Sequence, residues 1–232
     1  MTDSPCLSRE NLEAMGMVVP EVRFEDEIAR CVEADAGRPP QGGILFVGDS
    51  DIRRWDPAAM ADAFAGLPVI NRGFGGARTW EVLLSFNRIV LPYRPRVIVY
   101  CCGDNDIARL KENGVASAVT GFRLFADLVT THLPATGRIL YLAIHRSPSD
   151  APLWGSIERA NVEIRRVCRA SEMAEFVDYL HLLAEPDGRL REEAFMPDGL
   201  HVTPAFYRHL SAFLRPLLDA AWSAGPTASW PS

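Results

Sequence analysis

The sequence predicts an α/β fold, a central parallel sheet of about five strands with helices on both faces. Three observations carry this. Short apolar runs alternate with helical patterns along most of the chain, which is the order that builds a parallel sheet. Two of the runs, around Ile44 and Val97, are almost continuously apolar, as strands buried on both faces are. No internal repeat, low-complexity run or linker splits this alternation, which recurs about five times.

Taken in order, residues 1 to about 22 are poorly periodic, with a short helix expected over Asn11 to Met17. Phe24 to Ala36 is a helix with Phe24, Ile28, Cys31 and Val32 on one face. The loop Gly37 to Gly43 delivers the chain to the first strand. That strand, Ile44-Leu45-Phe46-Val47, stops at Gly48 before Asp49-Ser50. Ser50 to Gly66 reads as a helix or broken helix. Leu67 to Asn71 is a second strand, followed by the loop Arg72-Gly73-Phe74-Gly75-Gly76. A helix starts near Thr79 and ends at Pro92 and Pro95. Arg96 to Cys102 is the third strand, closing on Gly103-Asp104-Asn105-Asp106. A long helix covers Val115 to His132. The fourth strand, Ile139 to Ile144, runs into His145-Arg146-Ser147-Pro148. Gly155 to Glu172 is a helix and Glu175 to Tyr179 a fifth strand. The region 181 to 200 is loop. The last helix runs from Pro204, behind Thr203 as N-cap, to about Trp222, and Pro216 is expected to kink or break it.

No repeat or linker divides the 232 residues, a length that suits one large domain. Residues 1–232 are thus read as a single domain, with 1–40 a helical extension packed on it and 225–232 a frayed tail. Net charge is −6 and the pI about 5.4, which disfavours nucleic acid and anionic membranes as partners. The N-terminus has no basic and apolar leader, and no apolar run reaches the roughly 18 residues of a membrane helix. Five cysteines lack framework spacing, so reduced thiols in a cytoplasm fit best. Leu214, Leu218 and Trp222 are candidates for core or for a homo-oligomer interface.

Ligands of an open parallel sheet bind beyond the carboxyl ends of its strands. The residues expected there form a coherent set. A serine hydroxyl needs a base, and His201 can supply it. A histidine needs a partner on its other nitrogen, and Asp198, three residues earlier, can fold back to do this. The Ser50 N–H, the Gly76 N–H and the Asn105 amide can serve a developing oxyanion. His145 follows an apolar strand and is a site-lining residue or rival base. Trp55, Trp80 and Trp154 are candidates to line a pocket. Each member also has a plain structural reading: Asp49-Ser50 as a helix cap, the glycines as a tight turn, and Asp198-Gly199 as turn chemistry.

Gly48-Asp49-Ser50, the loop ending at Gly76, Gly103-Asp104-Asn105-Asp106 and Asp198-Gly199-Leu200-His201 together resemble the four blocks of the SGNH hydrolases, the GDSL-type esterases and lipases. Phe46 to Ser50 and Asn71 to Gly76 look closest to the branch similar to platelet-activating-factor acetylhydrolase. The resemblance implies a three-layer α/β/α sandwich, flavodoxin-like, and a serine esterase that needs no cofactor. By it Ser50 is the nucleophile, His201 the base and Asp198 its partner. Gly76 and Asn105 join Ser50 in the oxyanion hole, with Gly75 standing in if the loop is aligned one residue differently. Asp51 replaces the family's leucine, so it either disfavours anionic substrates or points to solvent. With His145 and Trp154 it is a candidate substrate contact.

The substrate class expected is a small carboxylic ester with a short acyl group, acetyl above all, since no long insertion could form a lipase lid. Two other readings are open. Asp49, Asp51, Asp104 and Asp106 at strand ends could hold a divalent cation for phosphoester hydrolysis, or the fold could serve as a non-catalytic binding module.

Overall fold

The computed structural model describes residues 8–17, 19, 24–35 and 37–224. Its five strands are β1 (Ile44–Gly48), β2 (Val69–Gly73), β3 (Val97–Cys101), β4 (Arg138–Leu142) and β5 (Ala174–Val177). All pair in parallel, in the order β2-β1-β3-β4-β5. The chain therefore steps outward in opposite directions from β1 and from β3, and a crevice opens between the connections at their carboxyl ends.

The period of two along each strand sorts side chains into two cores. Leu45, Val47, Ile98, Tyr100, Ile139 and Tyr141 face one cluster. Ile44, Phe46, Val97, Val99, Leu140 and Leu142 face the other. The first cluster is closed by α5 (Thr79–Leu84), α6 (Phe86–Ile89), α8 (Gly114–His132) and α9 (Trp154–Arg169), with Ile28 of α2 (Glu25–Ala34) and Leu12 of α1 (Arg9–Ala14). The second is closed by α3 (Ser50–Arg53), α4 (Pro57–Ala63) and α10 (Pro204–Ser223). These are the three layers expected.

Several expectations need correction. Of the helix or broken helix expected over Ser50 to Gly66, the broken form is found, because Asp56 caps a new start and Pro57 sits at its first turn. On α2 only Ile28 is buried, and Val32 is exposed. Between β3 and the long helix expected from Val115 lies a further helix, α7 (Asp104–Leu110). The expected break at Pro216 is absent: α10 is continuous, held on either side of the proline by buried Leu214 and Leu218. Those two leucines are core, not interface. Trp222 packs on the same core with the Arg96 guanidinium 4.2 Å over its ring. The tail expected to fray over 225–232 lies outside the described residues.

Candidate active site

The nucleophile candidate stands where β1 turns into α3. Gly48 has φ 152°, and a Cβ there would lie 1.7 Å from the Cys101 carbonyl, so only glycine lets β1 end this close to β3. Asp49 then caps α3, its carboxylate accepting the Asp51 N–H at 3.0 Å. The short helix is braced from two sides. Asn71 of β2 donates its amide to the Ile52 and Trp55 carbonyls (2.7 and 3.2 Å). Tyr207 of α10 donates to the Asp51 carbonyl at 2.8 Å.

The structure brings Ser50, His201 and Asp198 together across more than half of the chain. Ser50 Oγ lies 3.1 Å from His201 Nε2, and His201 Nδ1 lies 2.7 Å from Asp198 Oδ2. The second Asp198 oxygen accepts the Leu200 and His201 N–H groups (2.9 and 3.0 Å). The bond from the His201 ring, followed by these two, holds the Asp198 carboxyl well below the usual carboxylate range. The Asp-x-x-His spacing works through this local fold: the carboxylate closes a turn on its own loop and orients the imidazole at once.

At the end of β2, Gly76 takes φ 73°, a left-handed backbone that suits glycine. Its N–H has no acceptor among the described residues, whereas the Gly75 N–H is directed to Glu27 at 3.3 Å. Of the two glycines, Gly76 is thus the one whose N–H is left without an acceptor among the described residues. Asn105, in the first turn of α7, stands close by: its Oδ1 is 3.9 Å from where a Gly76 Cβ would be. Its amide donates one hydrogen to Asp104 at 2.8 Å and keeps the other.

The strand-end aspartates are not one cluster. Asp106 is fully buried and accepts from Thr79 N, Thr79 Oγ1 and Ser117 Oγ (2.9, 2.9 and 2.6 Å). Burial pushes it up to about 6. Asp49 and Asp104 share a hydrogen bond, and burial followed by their mutual repulsion pushes Asp49 well above the usual range. Asp49, Asp51 and Cys101 place one potential ligand atom each within 4.8 Å of one another. Burial and the neighbouring carboxylates raise the Cys101 thiol well above its ordinary range.

Asp51 does not point to solvent. It is 15% exposed, and its carboxylate lies 3.3 Å from His145 Nδ1. His145 is buried, also touching the Tyr179 hydroxyl and the Leu200 carbonyl (both 3.4 Å). These two residues sit behind the Ser50–His201 pair. Trp154 donates its indole N–H to the Ser147 carbonyl at 2.8 Å and lines an open groove with Pro148, Glu185 and Arg189. Trp55 and Trp80 are core, 1% and 0% exposed, so neither lines a substrate pocket.

With this geometry in view, a model of the GDSL-like lipase/acylhydrolase family matches residues 37–209. The chain belongs to that family. No curated protein matches this GDSL-like chain. Among solved structures it is similar to a Streptococcus pneumoniae protein named as a platelet activating factor (24% identity, TM-score 0.73, covering 84% of this chain and 92% of that one). It is also similar to a GDSL-like lipase from Bacteroides thetaiotaomicron (18%, TM-score 0.68, 84% and 98%). An acetylxylan esterase from Geobacillus stearothermophilus has TM-score 0.60 at 18% identity, covering 76% and 94%. At these identities the three likenesses speak to the fold of the GDSL-like chain.

Two residues that touch the elements of the candidate site carry no mark of it in the sequence. Asp106 looked like one more strand-end carboxylate, and nothing local marked its three distant donors. Glu27 lies in the N-terminal helix, outside every block, and carried no signal at all.

Proposed function

We propose that this GDSL-like hydrolase is a serine esterase of small carboxylic esters, short acyl and acetyl above all, working through an acyl-enzyme. The observation that carries the reading is the unbroken hydrogen-bond chain Ser50–His201–Asp198, at 3.1 and 2.7 Å. His201 takes the Ser50 proton as Oγ attacks the ester carbonyl, and Asp198 steadies the imidazolium that forms. The tetrahedral oxyanion is met by the N–H groups of Ser50 and Gly76 and by the free hydrogen of the Asn105 amide. Collapse expels the alcohol, which takes the proton from His201. Water, deprotonated by the same imidazole, then attacks the acyl-Ser50 ester and releases the acid.

No step needs a metal. Asp49 and Asp104 are already bonded to each other, Asp51 to His145 and Asp106 to Thr79 and Ser117. Trp154 on its groove is our substrate contact. Asp51 and His145 act from behind the nucleophile, not on the ester. The absence of a lid insertion supports short acyl groups, and an acetylxylan esterase among the structural relatives accords with acetyl. We read the whole chain as one catalytic unit acting in the cytoplasm.

Hydrolysis of p-nitrophenyl esters from acetyl to decanoyl tests this. The acetyl ester is expected to turn over fastest, Ser50→Ala to lose at least about 10⁴-fold in kcat, and chelator to change nothing. A Ser50→Ala enzyme that keeps its rate, or a rate that chelator abolishes, sinks the serine reading in favour of the metal one.

A further inference from the structure

The family match begins at residue 37, so α2 lies wholly before it. Yet α2 reaches the site. One oxygen of its Glu27, a residue 23% exposed, accepts both Arg53 Nε at 2.6 Å and the Gly75 N–H at 3.3 Å. Arg53 ends α3, the helix that Ser50 opens. Gly75 immediately precedes the oxyanion donor Gly76. We infer that Glu27 is a positioning residue for the reaction: it locks the oxyanion loop to the nucleophile helix. The inference rests on the esterase reading above.

The rest of α2 is built to hold that carboxylate still. Glu25 takes both hydrogen bonds of the Arg88 guanidinium (2.7 and 2.8 Å). Ile28 is buried in the core. Beyond the helix end, Asp35 accepts Arg72 of β2 at 2.6 Å and the Tyr93 hydroxyl. Phe24, just before the helix, packs its ring 5.6 Å from Phe74, and its Cζ is 3.7 Å from where a Gly76 Cβ would be. The glycine loop itself has few other restraints. The Gly73 and Phe74 N–H groups are bonded back to Asn71 and Gly48, and the Phe74 carbonyl accepts from Ala77 at 3.4 Å, but the Gly75 N–H is held from the α2 side. Two glycines in succession offer little stiffness of their own. An oxyanion donor works only if it is in place before charge develops, and sub-ångström drift is costly. By occupying the Gly75 N–H, Glu27 fixes the Phe74–Gly75 peptide, the unit just before the one that carries the Gly76 donor, and leaves that next N–H to face the reacting carbonyl.

The test is steady-state kinetics on the acetyl ester together with amide exchange at Gly75, in wild type, Glu27→Ala and Glu27→Gln. Glu27→Ala is expected to lower kcat about tenfold, a fraction of what losing a whole donor does, with KM within about twofold. Its affinity for an alkyl boronic acid, which forms a tetrahedral adduct on Ser50, falls by the same factor. The Gly75 amide exchanges faster. Glu27→Gln keeps an acceptor and recovers most of kcat, which also guards against an alanine variant that fails to fold. Unchanged kcat and boronate affinity in a folded Glu27→Ala overturn the positioning role alone. A wild type that turns over no ester sinks the esterase reading, and the positioning role with it.

Discussion

At the scale of single residues, Asp198 shows how a half-exposed carboxylate can still be committed to its task. Its side chain is 44% exposed, yet it accepts one ring N–H and two backbone N–H groups from the same loop. The depressed carboxyl has a definite sign in linkage. It contributes stability above the ordinary carboxylate range, near pH 4, and loses it as pH falls through the lower folded value. Solvent screening keeps that contribution small. The same three hydrogen bonds favour the ionised form of Asp198. Asp198→Asn is expected to lower kcat by about 10²–10⁴ without altering the fold, measured by steady-state kinetics and circular dichroism. An unchanged kcat in a folded Asp198→Asn would contradict this.

At the scale of elements, the aspartate that looked most like a spare ligand is a structural joint. Asp106 lies at the start of α7, yet its donors come from the first residue of α5 and from α8. One buried carboxylate thereby joins the three helices that flank Gly76 and Asn105. Burial outweighs these hydrogen bonds and pushes its carboxyl up to about 6. The sign is opposite to that of Asp198. The folded protein holds this proton more tightly than the unfolded chain, so stability is fully present below about pH 4 and lost as pH rises through about 6. Urea unfolding of wild type and Asp106→Asn should show it: wild-type stability falls relative to the variant between pH 4 and 6. Asp106→Ala takes the acceptor from the Thr79 N–H and the Ser117 hydroxyl, while Thr79 Oγ1 keeps the Ser117 carbonyl at 3.3 Å, and is expected to cost about 3 kcal/mol at either pH.

At the scale of the whole molecule, two apolar clusters clamp the sheet, and α10 spans the second. Leu214 sits there with no exposure. Leu214→Ala is expected to cost about 2–5 kcal/mol and to leave the sedimentation coefficient of the native protein unchanged. A change of oligomeric state with little loss of stability would return Leu214 to an interface. The layers agree with what periodicity implied, because burial on both faces leaves a sheet strand little choice but continuous apolar residues. Short elements were less legible. The α7 helix hides in Gly103 to Leu110, since Asp-Asn-Asp is equally good as a turn. The break expected at Pro216 did not follow, since packing on both sides outweighs one lost backbone bond.

What the sequence alone determined is the fold class, the family and the identity of Ser50, His201 and Asp198 as one candidate set. Each of these is written locally, in a strand that ends in glycine or in a carboxylate three residues before a histidine. What only the tertiary structure decided is which neighbours complete the site. The Gly75 N–H is taken by Glu27, 48 positions away, and the Gly76 N–H is left without an acceptor among the described residues. The inward turn of Asp51 turns on His145 at the end of another strand. The burial of Trp55 and Trp80 turns on opposite faces of the sheet. Hydrogen bonds and burial are fixed by distance in space, and no local pattern in a chain records which distant residue will arrive.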